Sequence, residues 1–192
     1  MEEVLDQSLF NQPTDAKPAN VKYAGFWSRF GALIIDGIIL APISFGLTYF
    51  NISSWKSTAL LVLISLVGIG YKPYMELMYG ATWGKMALKL TVTNKNFERA
   101  NLSEILFRNV FHIVPQLISL LITISIYNNA DFESVSGWGE FTSFSQQFPL
   151  LQYFNYASGS ITIIDAIMLA ADDQKRSLHD RIGGTFVIDQ SN

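Results

Sequence analysis

The sequence predicts an all-α membrane protein: a bundle of about four transmembrane helices with both termini in the cytoplasm. Three observations predict it. The 192 residues are 49% hydrophobic and only 15% charged, against ~25% charged in soluble domains, and the mean hydropathy is +0.25. Four segments approach the ~20 apolar residues that cross a ~30 Å hydrocarbon layer. Lysine and arginine fall on alternate loops, the pattern that orients helices in a membrane.

The expected spans cover residues 30–50, 58–79, 109–127 and 149–171. Asp36 interrupts the first; Lys72, Pro73 and Glu76 stand near the end of the second; Asp165 lies inside the fourth. These charges leave open an alternative of two or three spans with one re-entrant segment. Of 13 Lys and Arg, 11 fall in three groups: Lys17, Lys22 and Arg29; Lys85, Lys89, Lys95, Arg99 and Arg108; Lys175, Arg176 and Arg181. The intervening loops hold only Lys56, with Asp131, Glu133 and Glu140 in 128–148. Basic loops stay cytoplasmic, so both termini are expected inside, which requires an even number of spans. Phe26, Trp27, Phe30, Tyr49, Phe50, Trp55, Tyr74, Tyr79 and Trp83 cluster near the span ends, where amphipathic rings favour the headgroup region.

Residues 1–22 carry Glu2, Glu3, Asp6 and Asp15 where a secretory signal would be basic and then apolar. They are expected to form a disordered polar arm before a transmembrane domain over 23–188 and a short tail over 189–192. A formal net charge of −3 gives no reason to expect nucleic acid. With no cysteine and only His112 and His179, thiol chemistry and a metal site are not expected, nor is a cofactor.

Depth along the helices gives the most informative pattern. Asp36 lies roughly 9–10 Å above Phe30 at 1.5 Å rise per residue. The second span returns inward and brings Lys72 and Glu76 to the same half; the third contributes His112 and Gln116, and the fourth Asp165. A charge near a helix centre costs ~2.5–3.5 kcal/mol, so such groups face partners or water. Asp36 is expected to need Lys72 or water, and Lys72 and Glu76 stand at i, i+4 on one helix face. Asp165 flanks a small-residue stripe, Ser158, Thr162, Ala166 and Ala170, that permits close helix packing. The cluster Asp36, Lys72, Glu76, His112, Gln116 and Asp165 reads either as an ion or proton site or as a structural network fixing helix packing.

Other motifs carry less. Gly80-Ala-Thr-Trp-Gly84-Lys85 misses phosphate-loop spacing by one residue and follows a membrane span instead of a strand. The basic segment 85–108 is read as the positive-inside signal. His179-Asp180 lacks a nucleophile in sequence and is read as a membrane-proximal turn, so an enzyme is not expected. The acidic loop 128–148 is long for a bundle connection and is read as a lid, a docking surface or a disordered external loop.

Residues 26–36 (Phe-Trp-Ser-Arg-Phe-Gly-Ala-Leu-Ile-Ile-Asp), 80–92, Arg108-Asn109 and 175–187 (Lys-Arg-Ser-Leu-His-Asp-Arg-Ile-Gly-Gly-Thr-Phe-Val) together resemble the RDD family of membrane proteins. That resemblance assigns the signature arginine to Arg29, the first aspartate to Asp36 and the second to Asp180, with Asp165 as a rival. Lys72 and Glu76 lie outside the family's pattern. The resemblance implies a multi-pass membrane protein and suggests transport of ions or small ligands. The short loops and the absence of a secretory signal fit the cell (inner) membrane. The polar cluster makes cation/proton exchange the sharpest form of that expectation, with the lipid bilayer and a small cation or proton as partners, and so thin a bundle suggests a homo-oligomer. The alternative is a non-transporting scaffold or accessory subunit that binds another protein.

Overall fold

A computed structural model describes residues 21–191; most of the expected polar arm lies outside them. Four long helices form the body. In chain order, α1 spans Phe26–Phe50 and runs on through a π-helical turn, Asn51–Trp55. Next come α2 over Thr58–Tyr79, the short α3 over Trp83–Ala87 and β1 over Leu90–Asn94. They are followed by α4 over Leu102–Arg108, α5 over Val110–Tyr127, a 3-10 turn over Ala130–Ser134 and α6 over Trp138–Ser145. The chain ends with α7 over Pro149–Ala171, α8 over Leu178–Gly183 and β2 over Thr185–Asp189. The helices α1, α2, α5 and α7 are long and apolar enough to cross a membrane. The first span is longer than expected, 26–55 against 30–50.

Local chemistry sets the boundaries. Buried Asn51 clasps both backbone groups of Ser57: Nδ2 donates to its carbonyl at 3.0 Å and Oδ1 accepts its N–H at 2.9 Å. Ser57 then caps α2 by accepting the Leu60 N–H, and the α1–α2 turn closes through Lys56 at φ +48°. Gly80, at φ +73°, ends α2, a conformation glycine adopts without steric cost. Pro73 and Pro115 sit inside α2 and α5, where each removes one ladder hydrogen bond.

Two packed clusters close the bundle at its ends. The base holds both described chain ends. There β1 and β2 pair antiparallel, Leu90 opposite Asp189 through Asn94 opposite Thr185, and Tyr23 bridges to Ile188 beside them. This two-stranded sheet is an addition to the expected all-helical bundle. Its inner face joins Ala24, Ala32, Ala100 and Ile105 in one apolar cluster with Leu90, Val92 and Val187. At the apex, Phe132, Val135 and Phe144 from segment 128–148 pack on Ile52, Ile126 and Tyr127. Lys56 donates to the Glu133 carbonyl across the same end. The long acidic loop is therefore a folded cap. Its aromatic residues Phe132 and Phe144 supply its core. Between the clusters the helices present Leu33, Ile38, Ile43, Leu63, Val67, Leu121, Ile163 and Ile167 outward, an apolar belt suited to lipid contact.

The closest backbone approach joins α1 and α3. A Cβ on Gly84 would lie 1.9 Å from the Ala32 carbonyl oxygen, so no other residue fits without moving a helix. Gly84→Ala is expected to destabilise the fold by about 3 kcal/mol, the upper range for overpacking. Gly159→Ala, whose Cβ would meet nothing within 4 Å, is expected to be neutral or stabilising by about 0.5–1 kcal/mol. Thermal unfolding of both variants in detergent checks the contrast.

Candidate functional site

At the base an ion-pair network joins six elements. Glu76, on the last turns of α2, is buried and divides its oxygens. Oε1 pairs with Lys85 Nζ of α3; Oε2 accepts from Arg108 Nε at 3.2 Å and from Asn109 Nδ2 at 3.0 Å. Arg108, 2% exposed at the end of α4, also pairs through Nη1 with Asp180 Oδ1 and donates to Thr185 Oγ1 of β2 at 2.8 Å. Asp180 Oδ2 pairs with Arg29 Nη1 of α1 and accepts the Ser177 N–H at 3.0 Å, as one half of the capping box that starts α8. Arg29 Nε donates to the Ala24 carbonyl at 3.0 Å.

The backbone lets these charges meet. Gly183 sits where a Cβ would come within 2.6 Å of Arg108 Cβ, so its lack of a side chain lets α8 lie directly on α4. Asn109 breaks the helix between α4 and α5 at φ −95° and ψ 6°, which turns Arg108 and Asn109 toward Glu76.

Electrostatics at the base follow from burial and pairing. Burial alone pushes the Asp180 carboxyl up, but Arg108 and Arg29 outweigh it and hold it far below the usual carboxylate range. Burial pulls the Lys85 ammonium down to about 8; Glu76 opposes that and Arg108 and Lys72 add to it. Burial and the neighbouring Arg108 lower the His179 imidazole to about 4, against the pull of its hydrogen bond to Asp165. That ring is therefore neutral at pH 7.

The expected cluster divides into closed and open groups. Among the described residues Asp36 meets neither Lys72 nor another cation at ion-pair distance. It accepts from the Tyr71 hydroxyl at 2.8 Å, the Thr82 hydroxyl at 2.6 Å and the Gly84 N–H at 2.8 Å. In place of the expected Lys72, three neutral donors from α2 and the start of α3 hold it. Glu76 makes no direct ion pair with Lys72, since Lys85, Arg108 and Asn109 occupy both its oxygens, though the two charges still attract one another. Asp165 of α7 accepts from His179, from Nδ1 at 2.7 Å and from N at 3.2 Å, both on Oδ1. Its Oδ2 has no hydrogen-bond partner among the described residues. Lys72 makes no hydrogen bond or ion pair among them either. His112 Nδ1 accepts from Gln116 Nε2 at 3.3 Å, while its Nε2 is buried without a partner. Of the four residues in the small stripe, Thr162 and Ala170 are exposed on the outside of α7.

Within segment 85–108, read as the positive-inside signal, Lys85 and Arg108 are buried ion-pair partners. The signal that points to them is position, since both lie within the motif segments that carry the family resemblance. Of the two candidate aspartates, Asp180 is the one that pairs with Arg29. His179-Asp180 begins a helix that packs into the network, not a free turn.

Two outcomes test this arrangement. Asp180→Asn leaves Arg29 without its counter-charge and Arg108 with Glu76 alone, and an unfolding loss of about 3–5 kcal/mol is expected. The His179 ring titrates at about 4 when folded and near ~6.5 when unfolded, so the folded state favours the neutral form. Its contribution is complete above pH ~6.5 and is lost as pH falls toward 4, at up to ~1.4 kcal/mol per pH unit. Melting curves across that window should slope in the wild type and be flatter in His179→Gln.

Comparison with known proteins agrees with this geometry. Searches of curated proteins and of solved structures find no significant match. The RDD family profile matches residues 23–184, a stretch that holds Arg29, Asp36, the Gly84-Lys85 turn, Arg108 and the paired Asp180. The chain belongs to the RDD family.

Proposed function

We propose that this protein is a multi-pass transporter of the cell (inner) membrane, with both termini cytoplasmic, that moves a small ligand through the polar layer at its base in exchange with protons. The observation that carries the reading is the division of the layer. Arg29, Lys85, Arg108, Glu76 and Asp180 saturate one another, whereas Lys72 and Asp165 keep unused polar capacity on helices that cross the membrane. Ionisable groups inside membrane-crossing segments mark ion and proton pathways. Asp165 and neutral His179 form the natural proton-exchanging pair. Cation/proton exchange is the sharpest form of the reading, and Asp165 Oδ2 is the carboxylate oxygen left to attract a cation. A homo-oligomer would let a four-helix bundle enclose the pathway between protomers.

The apical cap favours a second reading. Ser134, Glu140, Ser143 and Gln147 line a shallow polar groove on it, a surface that a scaffold or accessory subunit would offer to a partner protein.

The test is flux in reconstituted vesicles carrying a pH-sensitive dye, under imposed sodium, potassium or phosphate gradients. Wild-type protein is expected to couple one gradient to proton movement. Asp165→Asn and Lys72→Gln should reduce that movement to the level of protein-free vesicles while the protein remains folded. No proton movement under any gradient, or unchanged flux in both variants, overturns the proposal.

A further inference from the structure

The two short helices of the base, α3 and α4, turn their charges inward and their large apolar side chains outward. On α3, Lys85 pairs with Glu76, while Trp83 and Met86 are exposed. On α4, Arg108 is buried between Glu76 and Asp180, and Glu104 is bound back onto the Asn101 N–H at 2.8 Å. The side chains that this helix leaves exposed are Leu102, Ser103, Leu106 and Phe107, the last of them at 60%. A helix that meets water carries the opposite arrangement, with its polar face outward.

The exposed charges mark where this surface stops. Lys95, Glu98 and Arg99 are exposed in the segment before α4, whereas from Leu102 to Leu121 no exposed residue is charged. The third span was expected to start at 109, so the charge-free surface begins one short helix earlier. It runs on through exposed Phe111, Val114 and Leu121 of α5 into the apolar belt of the bundle. The same change occurs on the other side of the base. From Thr58 to Ala87 no exposed residue is charged, and Lys89 is the next that is. On α1, exposed Trp27 and Phe30 meet edge to face at this end, and such rings favour the headgroup level. Single exposed apolar residues carry little meaning, but a continuous apolar surface marks a partner. A surface continuous with the lipid-facing belt is covered by the same lipid. Lys89, Lys95 and Arg99 stand just beyond its edge, where cations suit phosphate headgroups. Arg99 is held there by donating to the Leu77 and Met78 carbonyls at the end of α2.

We propose that α3 and α4 are seated in the membrane interface on the side of the base, with their outward faces sunk ~5–10 Å into the boundary between headgroups and acyl chains. The ion-pair network behind them then lies level with the headgroups and not below the membrane. There water is scarce, and mutual saturation of the charges replaces hydration. Whether the protein transports anything does not bear on this placement.

The chain has no cysteine, so a single introduced cysteine can carry a nitroxide label at a chosen position. Leu102→Cys, Leu106→Cys and Phe107→Cys report on α4, Leu121→Cys on the belt and Asn96→Cys on the segment with exposed charges. All five side chains are exposed, so the labels displace no packing, and melting in detergent checks that each variant folds. The full-length protein is diluted into phosphatidylcholine–phosphatidylglycerol vesicles. Spin relaxation is then measured with oxygen, which concentrates in lipid, and with a water-soluble nickel chelate. The oxygen-to-nickel ratio at Leu102, Leu106 and Phe107 is expected to be severalfold above that at Asn96 and below that at Leu121. A ratio equal to that at Asn96 puts α4 in water and overturns the proposal. Shielding from both reagents also overturns it, because a second copy of the chain then covers the face. For α3, Trp83 is kept as the sole tryptophan by replacing Trp27, Trp55 and Trp138 with phenylalanine. Quenching of its fluorescence by lipids brominated near the headgroup supports the placement, and quenching by aqueous iodide alone overturns it for α3.

Discussion

The structure depends on one buried guanidinium. Arg108 is held between Glu76 of α2 and Asp180 of α8 while its Nη1 also reaches β2 through Thr185. Its planar, permanently charged group supplies several fixed donors, which a lysine ammonium does not reproduce. Removing that charge from water is costly, and only close pairing on both sides compensates for it. Every element that meets Arg108 must therefore arrive in one relative position. That requirement fixes where α4 ends, why α8 packs on it through Gly183, and why the hairpin seals the base.

Around that centre the polar residues separate by what surrounds them. Asp36 has three neutral donors, and Gly84 lies so close to α1 that a methyl group would strike the Ala32 carbonyl. These contacts join α1 to α3 independently of the ion pairs. The signature residues Arg29, Asp36 and Asp180 are thus each consumed by structure. Lys72, His112 and Asp165 lie outside the closed network.

The sequence showed the membrane helices almost to the residue at 58–79 and 149–171, because long apolar runs bounded by turns are a one-dimensional property. It showed less at the first span, where π-helical continuation through Trp55 depends on Asn51 clasping Ser57. The cap over 128–148 was illegible for a related reason. Phe132, Val135 and Phe144 become a core only when Ile52 and Ile126 arrive beneath them. The hairpin was hidden because its strands lie more than ninety residues apart, Leu90 opposite Asp189, and neither carries a local turn signal toward the other.

Sequence by itself determined that the chain crosses a membrane, that its polar residues converge on one layer, and which family it resembles. Hydropathy, helical rise and motif order are local quantities that need no partner. Only the tertiary structure decided which charges neutralise one another. Lys72 and Glu76 stand one turn apart on a single helix, yet Glu76 pairs with Lys85 and Arg108. Two buried oxygens accept from the donors that packing brings nearest, and sequence spacing does not say which these are. Lys72 is left open for that reason.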